Sequence, residues 1–273
     1  MKRIYLNLKR FDVSVEKGGV NRLAGMQDWA ETIISQTQEE LVKYKEDANF
    51  TMFFPEAHLL SAAKVNNGTI HIGVQGVFRA DVQKGGNFGA FTTNLPATAA
   101  VELGADSVLI GHSEERRDKE EMITLSGGNP AAVNQLLNME VKAALQAGLK
   151  VLYCIGEKAE EQDRWQEVIR EQIEVGLADV DQSKVVLAYE PIWAIGPGKT
   201  PPDKDYIQMI ARFVKEISAG MDIVYGGGLK VENAQMLARI PEISGGLIAL
   251  TKFGEGFGFY PDGYLEIIHT YLS

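Results

Sequence analysis

One cysteine, Cys154, stands in 273 residues, so no intrachain disulfide can brace the fold, and a reducing compartment suits the chain. That thiol reads as buried and structural. Histidine is scarce too. Of the four present, His58, His71 and His269 show no metal-ligand spacing with one another, and no metal is expected. Cations are outnumbered, 27 Lys and Arg against 37 Asp and Glu, for a formal net charge of −10. That balance argues against nucleic acid or an anionic membrane as partner. No apolar run approaches the roughly 20 residues that span a bilayer. The opening MKRIYLNLKR lacks the apolar core and cleavage site of a signal peptide. Together these absences point to a cytoplasmic protein, in which a phosphorylated ligand would need local cations and N–H groups, not a global field.

Core material is ample, at 45% hydrophobic and 23% charged residues. Short β-rich runs recur: IYLNLK from Ile4, FTMFFPE from Phe50, IHIGVQG from Ile70, SVLIGHS from Ser107. They continue as KVLYCIGE from Lys150, VVLAYEP from Val185, DIVYGGG from Asp222 and GGLIAL from Gly245. Most are near-continuously apolar, as parallel strands buried on both faces must be. Between them, MQDWAETIISQTQEELVKYKED and PAAVNQLLNMEVKAALQAGLK place apolar residues at three- and four-residue steps. The second opens at Asn129-Pro130 and ends at Gly148, a cap, a first-turn proline and a terminating glycine. Roughly eight strands alternating with helices predict an α/β fold, a (β/α)8 barrel in a single domain over 1–273. A doubly wound open sheet is the alternative the same alternation allows.

The stretch AYEPIWAIGPGKTPP, Ala188 to Pro202, ends in Gly198-Lys199-Thr200 like a P-loop. The first glycine of that pattern falls on Trp193, so a nucleotide cradle is excluded. Polar residues instead gather where strands end. Asn7 and Lys9 follow the first strand, His112-Ser113-Glu114 the fourth, Glu190 the sixth, and Gly226-Gly227-Gly228 the seventh. In such barrels the chemistry sits at the C-terminal ends of strands. The set contains a base, an electrophile, a cation and an anion cradle. Each has a plainer reading alone: a rim ion pair for Glu190, a satisfied core imidazole for His112, a solvated Lys9, a backbone-bonding Asn7, an ordinary glycine turn.

Over essentially its whole length the sequence resembles the triosephosphate isomerase family. The motifs are Asn7-Leu8-Lys9, GAFT at Gly89 to Thr92, IGHSE at Ile110 to Glu114, CIGE at Cys154 to Glu157, AYEPIWAIG-x-GKT at Ala188 to Thr200, and YGG at Tyr225 to Gly227. The resemblance implies a TIM barrel that interconverts glyceraldehyde 3-phosphate and dihydroxyacetone phosphate in glycolysis and gluconeogenesis, with no cofactor. It implies Glu190 as general base and His112 as the neutral imidazole that polarises the carbonyl. Lys9 becomes the cation near the phosphate and oxygens, and Asn7 the amide lining the pocket. Ser113 and Glu114 support them, and Thr92 reaches a partner subunit's site in a homodimer or tetramer. The sixth-loop stretch becomes a lid, with Gly196 against the substrate and Gly198 giving freedom to move.

The departures from the family are concentrated. Arg10 to Gly25 lengthens the loop after the first strand, and TKFGEGFGF lengthens the one after the eighth. The family's phosphate-binding serine falls on Gly228, and its paired glycines fall on Leu250-Thr251. We expect backbone N–H groups of Gly228 and Thr251, or Lys230, Lys252 and Gly254 to Gly258, to hold the phosphate instead. Asn94 and Glu115 replace an acid and an arginine, which removes an ion pair from the expected interface. Two rival readings follow. One is a paralogous isomerase for a four-carbon or related ketose phosphate. The other is a barrel that only binds a metabolite, which retention of Lys9, His112 and Glu190 disfavours.

Overall fold

The computed structural model describes residues 1–196 and 198–273; Pro197, in the expected lid, lies outside the described residues. The strands are β1 (Lys2–Asn7), β2 (Ala48–Phe54), β3 (Ile70–Val74), β4 (Ser107–Ile110), β5 (Lys150–Ile155), β6 (Val185–Tyr189), β7 (Ile223–Tyr225) and β8 (Ile243–Ile248). They close into a barrel in chain order, with every neighbour parallel and β8 pairing back onto β1. The open-sheet alternative is thereby removed. Around the barrel run α1 (Trp29–Leu41), α2 (Leu59–Val65), α3 (Ala97–Glu102), α4 (Ser113–Leu125), α5 (Ala132–Gln146), α6 (Trp165–Gly176), α7 (Lys204–Ile217), α8 (Val231–Ala238) and α9 (Pro261–Leu272). Among the described residues no helix is long and apolar enough to cross a membrane.

Strand alternation sorts the apolar residues into two cores. Tyr5, Phe53, Leu109, Leu152, Val186 and Leu247 fill the barrel interior, while Ile4, Leu6, Phe50 and Met52 face outward beneath the helices. Two residues beyond the interior Tyr5 comes Asn7, and two beyond the interior Ala188 comes Glu190. The same period that packs the core therefore delivers polar side chains to the upper mouth.

Helix α5 starts at Ala132, two residues later than the Asn129-Pro130 signal suggests. The Asn129 side chain accepts from Ala131 N at 3.1 Å, so it caps a turn that leads into the helix. Gly148, at φ 92, ends it as expected.

Candidate active site

Glu190 is seated between two glycines. Its N–H donates to Ile155 O at 2.8 Å, and Gly226 N donates to Tyr189 O at 2.6 Å. A Cβ added at Gly156 would lie 1.8 Å from Glu190 O, and one at Gly226 would lie 2.8 Å from Glu190 Cγ. Only glycine lets the ends of β5 and β7 close on β6 this tightly. The Glu190 carboxylate is 2% exposed and accepts from Ser113 N at 2.9 Å, at the N-terminus of α4. Ser113 thus holds the Glu190 carboxylate through its backbone N–H. Directly below lies Cys154, inside the barrel, where burial and then the Glu190 charge push its thiol well up.

His112 caps α4. Its Nδ1 accepts from Glu114 N at 3.3 Å, which commits that nitrogen's lone pair and leaves the proton on Nε2. Nε2 stands 3.2 Å from Glu190 Oε1, so a neutral imidazole presents its N–H to the same space as the carboxylate. A positive ring at a helix N-terminus would also oppose the helix dipole.

Lys9 takes the left-handed φ of 41, unusual for a residue with a side chain. Its surroundings fix it there. Lys9 N donates to Asn7 Oδ1 at 3.0 Å, and Gln75 Nε2 donates to Lys9 O at 2.9 Å. The ammonium points to Glu114 Oε1 at 2.7 Å. Burial pushes the Glu114 carboxyl up, but the Lys9 hydrogen bond and charge outweigh it and hold it below its ordinary value. Gln75 is the residue that sequence reasoning missed. It follows β3 directly in the IHIGVQG run, and its amide also reaches Asn7 Oδ1 at 3.4 Å. A cavity of about 440 Å³ joins Asn7, Lys9, Gln75 and His112.

Glu157 anchors the start of the expected lid. It is fully buried, and its Oε1 accepts from Tyr189 Oη at 2.9 Å, Trp193 Nε1 at 2.7 Å and Tyr206 Oη at 3.1 Å. Burial and then Glu157 push the Tyr206 hydroxyl up to about 12, so it remains a donor. Gly196, at φ 120, lies beyond Trp193 in the same loop.

On the expected phosphate side, the N–H groups of Gly227 and Gly228 donate to no partner among the described residues, and Gly228 has φ 95. Such paired free donors form an anion nest. Thr251 corrects the expectation placed on it. Its N–H is spent on Gly258 O at 3.1 Å, and its hydroxyl bridges Tyr260 O at 3.1 Å and Tyr260 N at 2.7 Å. Thr251 therefore closes a hairpin and has no donor left for a phosphate. Lys230 folds back over Gly228, with Cε 3.5 Å from where a Cβ would be, and its ammonium lies 4.3 Å from the Phe253 ring centroid. Lys252 turns away onto Tyr260, 5.6 Å from that ring.

The triosephosphate isomerase family model matches residues 23–254. The chain belongs to the triosephosphate isomerase family. It is 39% identical over 173 residues to a Geobacter metallireducens protein named triosephosphate isomerase, a match spanning 59% of this chain and 64% of the relative. It is 32% identical over 239 residues to one from Granulibacter bethesdensis, spanning 83% and 89%. A solved triosephosphate isomerase from Bartonella henselae, 23% identical, superposes over 100% of this chain and 99% of its own with a TM-score of 0.71, a likeness of fold.

Asn7 and Lys9 precede the family match, so their assignment rests on their placement beside His112. The lengthened loops fall at its two edges. Thr92 is exposed, in a stretch that carries Phe88 at 93% exposure. Glu115, at the family's arginine position, turns inward. It accepts from Gly111 N at 2.6 Å and pairs with Lys119 at 2.9 Å.

Proposed function

We propose that this protein is an aldose–ketose isomerase of the triosephosphate isomerase type, interconverting glyceraldehyde 3-phosphate and dihydroxyacetone phosphate. The observation that carries the reading is the facing of Glu190 Oε1 and His112 Nε2 across 3.2 Å at the barrel mouth. When substrate enters and displaces this contact, Glu190 removes the proton from the carbon beside the carbonyl. His112 Nε2–H hydrogen-bonds the carbonyl oxygen as it gains charge, and the Lys9 ammonium stabilises the enediolate. The proton returns to the neighbouring carbon, and the hydroxyl proton passes between the two oxygens by way of His112. No electrons are gained or lost overall. Gly227 and Gly228 N–H groups take the phosphate, with Lys230 beside them. Gly196 and the lid keep water from the enediolate, which otherwise expels phosphate.

The acting form is a homodimer in the cytoplasm, with Thr92 and its exposed loop completing the partner's site. Activity should fall on dilution to monomers, and a fully active monomer in sedimentation refutes the arrangement. Glu190→Asp tests the chemistry. Withdrawing the carboxylate by one methylene, a misplacement of about 1 Å, should cost about a hundredfold in kcat with the fold intact. Turnover close to wild type would remove Glu190 from its role.

A further inference from the structure

The cavity beside Lys9 and His112 does not stop at those groups. Beyond Asn7, Lys9, Gln75 and His112 it continues to Arg10, Phe11, Gly19 and Val20, so its far wall is the long loop after β1. That wall is firmly built. The Asp12 carboxylate, 1% exposed, sits 3.0 Å from His58 Nε2 and 2.7 Å from Arg10 Nη2. Asn21 Nδ2 donates to Asp12 O at 3.0 Å and to Ala24 O at 2.8 Å. Arg22 Nη1 donates to Phe257 O at 2.8 Å, which ties the loop to the hairpin after β8. At Gly19 a Cβ would meet Val13 O at 2.1 Å, so the loop closes backbone against backbone.

The position of the cavity selects a direction. In a closed ring of eight strands in chain order, β3 faces β7 across the axis. Gln75, at the mouth of β3, therefore lies across from Gly227 and Gly228, neither of which lines the cavity, and the loop after β1 closes it from the side. With a phosphate at those glycines and the reacting carbons between Glu190 and His112, the extension receives the end of the substrate remote from the phosphate. Its chemistry suits a hydroxylated carbon. The Arg10 side chain is 62% exposed, and among the described residues its only partner is Asp12, so most of its donors are unspent. Phe11 and Val20 supply apolar surface for the C–H face. Residues 10–20 lie outside the family match.

We infer that this site also isomerises phosphorylated ketoses with one further hydroxylated carbon beyond the reacting pair, and that Arg10 and the Phe11–Val20 wall determine that specificity. The inference rests on the isomerase reading above. The atom balance is the same. Glu190 moves the proton from the hydroxyl-bearing carbon to the former carbonyl carbon, His112 relays the hydroxyl proton, and the carbonyl migrates by one carbon.

The full chain is assayed with glyceraldehyde 3-phosphate, with erythrulose 1-phosphate, whose extra carbon lies beyond the reacting pair, and with erythrose 4-phosphate, whose extra carbon lies between that pair and the phosphate. Erythrulose 1-phosphate should exceed erythrose 4-phosphate in kcat/KM by about tenfold or more. Arg10→Ala should lower the ratio of erythrulose 1-phosphate to triose phosphate by about tenfold, the scale of a lost hydrogen bond from a charged group. Val20→Phe, which narrows the extension without touching the Arg10–Asp12 pair, should lower the same ratio. Triose turnover without erythrulose 1-phosphate turnover, a preference for erythrose 4-phosphate, or a ratio unmoved in both variants overturns the inference and leaves the isomerase reading standing. No turnover of any sugar phosphate overturns that reading itself.

Discussion

Gly156→Ala places the sharpest demand on the seat of the base. The added Cβ would start 1.8 Å from Glu190 O, and contacts of this kind essentially stop at 3.0 Å, so about 1.2 Å must be found. Gly156 itself is pinned. Its N–H donates to Gln172 Oε1 at 2.8 Å, and its carbonyl accepts from Gln172 Nε2 at 2.9 Å. The movement therefore falls on the backbone of Glu190 and strains its 2.8 Å bond to Ile155 O. A base displaced by about 1 Å loses about a hundredfold in rate, and overpacking of this kind costs about 1–3 kcal/mol of stability. Gly226→Ala is the graded control. Its Cβ lies 2.8 Å from both Glu190 Cγ and Tyr189 O and needs only a few tenths of an ångström. We expect kcat for glyceraldehyde 3-phosphate to fall far more in Gly156→Ala than in Gly226→Ala, with the thermal midpoint following the same order. A Gly156→Ala enzyme within about threefold of wild type, or the reverse order of the pair, refutes the reasoning.

At His112, nitrogen NMR near neutral pH should report a protonated Nε2 and a bare Nδ1, since Nδ1 accepts from Glu114 N; a doubly protonated ring or the opposite tautomer contradicts the electrophile assignment. Burial, then the neighbouring Glu115 carboxylate, push the Glu140 carboxyl up to about 9 from an ordinary 4.5. The folded chain keeps a proton that the unfolded chain releases, so this group's contribution to stability is full below the ordinary value and is lost as pH rises through about 9. Glu140→Gln gives up the 2.9 Å contact with Lys119 but has no proton to lose, so it should lose less stability than the wild type between pH 4.5 and pH 8. An equal fall in thermal midpoint for variant and wild type over that range would count against the buried-proton account.

The barrel was legible because its strands are buried on both faces, and long apolar runs such as VVLAY in β6 announce that directly. Helix α4 was not. Its sequence SEERRDKEEMITL buries only Arg116, so no apolar period marks it. The four residues proposed for the chemistry, Asn7, Lys9, His112 and Glu190, were singled out by their motifs and their strand-end positions. Gln75 was hidden because a lone glutamine after a strand carries no pattern, and its worth lies in holding the strained Lys9. Thr251 was misplaced because alignment by position cannot reveal that a hairpin will consume both of its donors.

Cys154 sits fully buried in the barrel interior beneath Glu190, the only thiol in the chain. A thiol-specific dye therefore has one target, and it reaches that target only when the strands part. The labelling rate in native buffer then reads the frequency of barrel opening, because exposure of a core group requires the cooperative unit around it to open. Ligands that clamp the upper mouth should slow labelling in proportion to their occupancy. The enzyme thus carries an internal gauge for ranking its own substrates by affinity, independent of turnover.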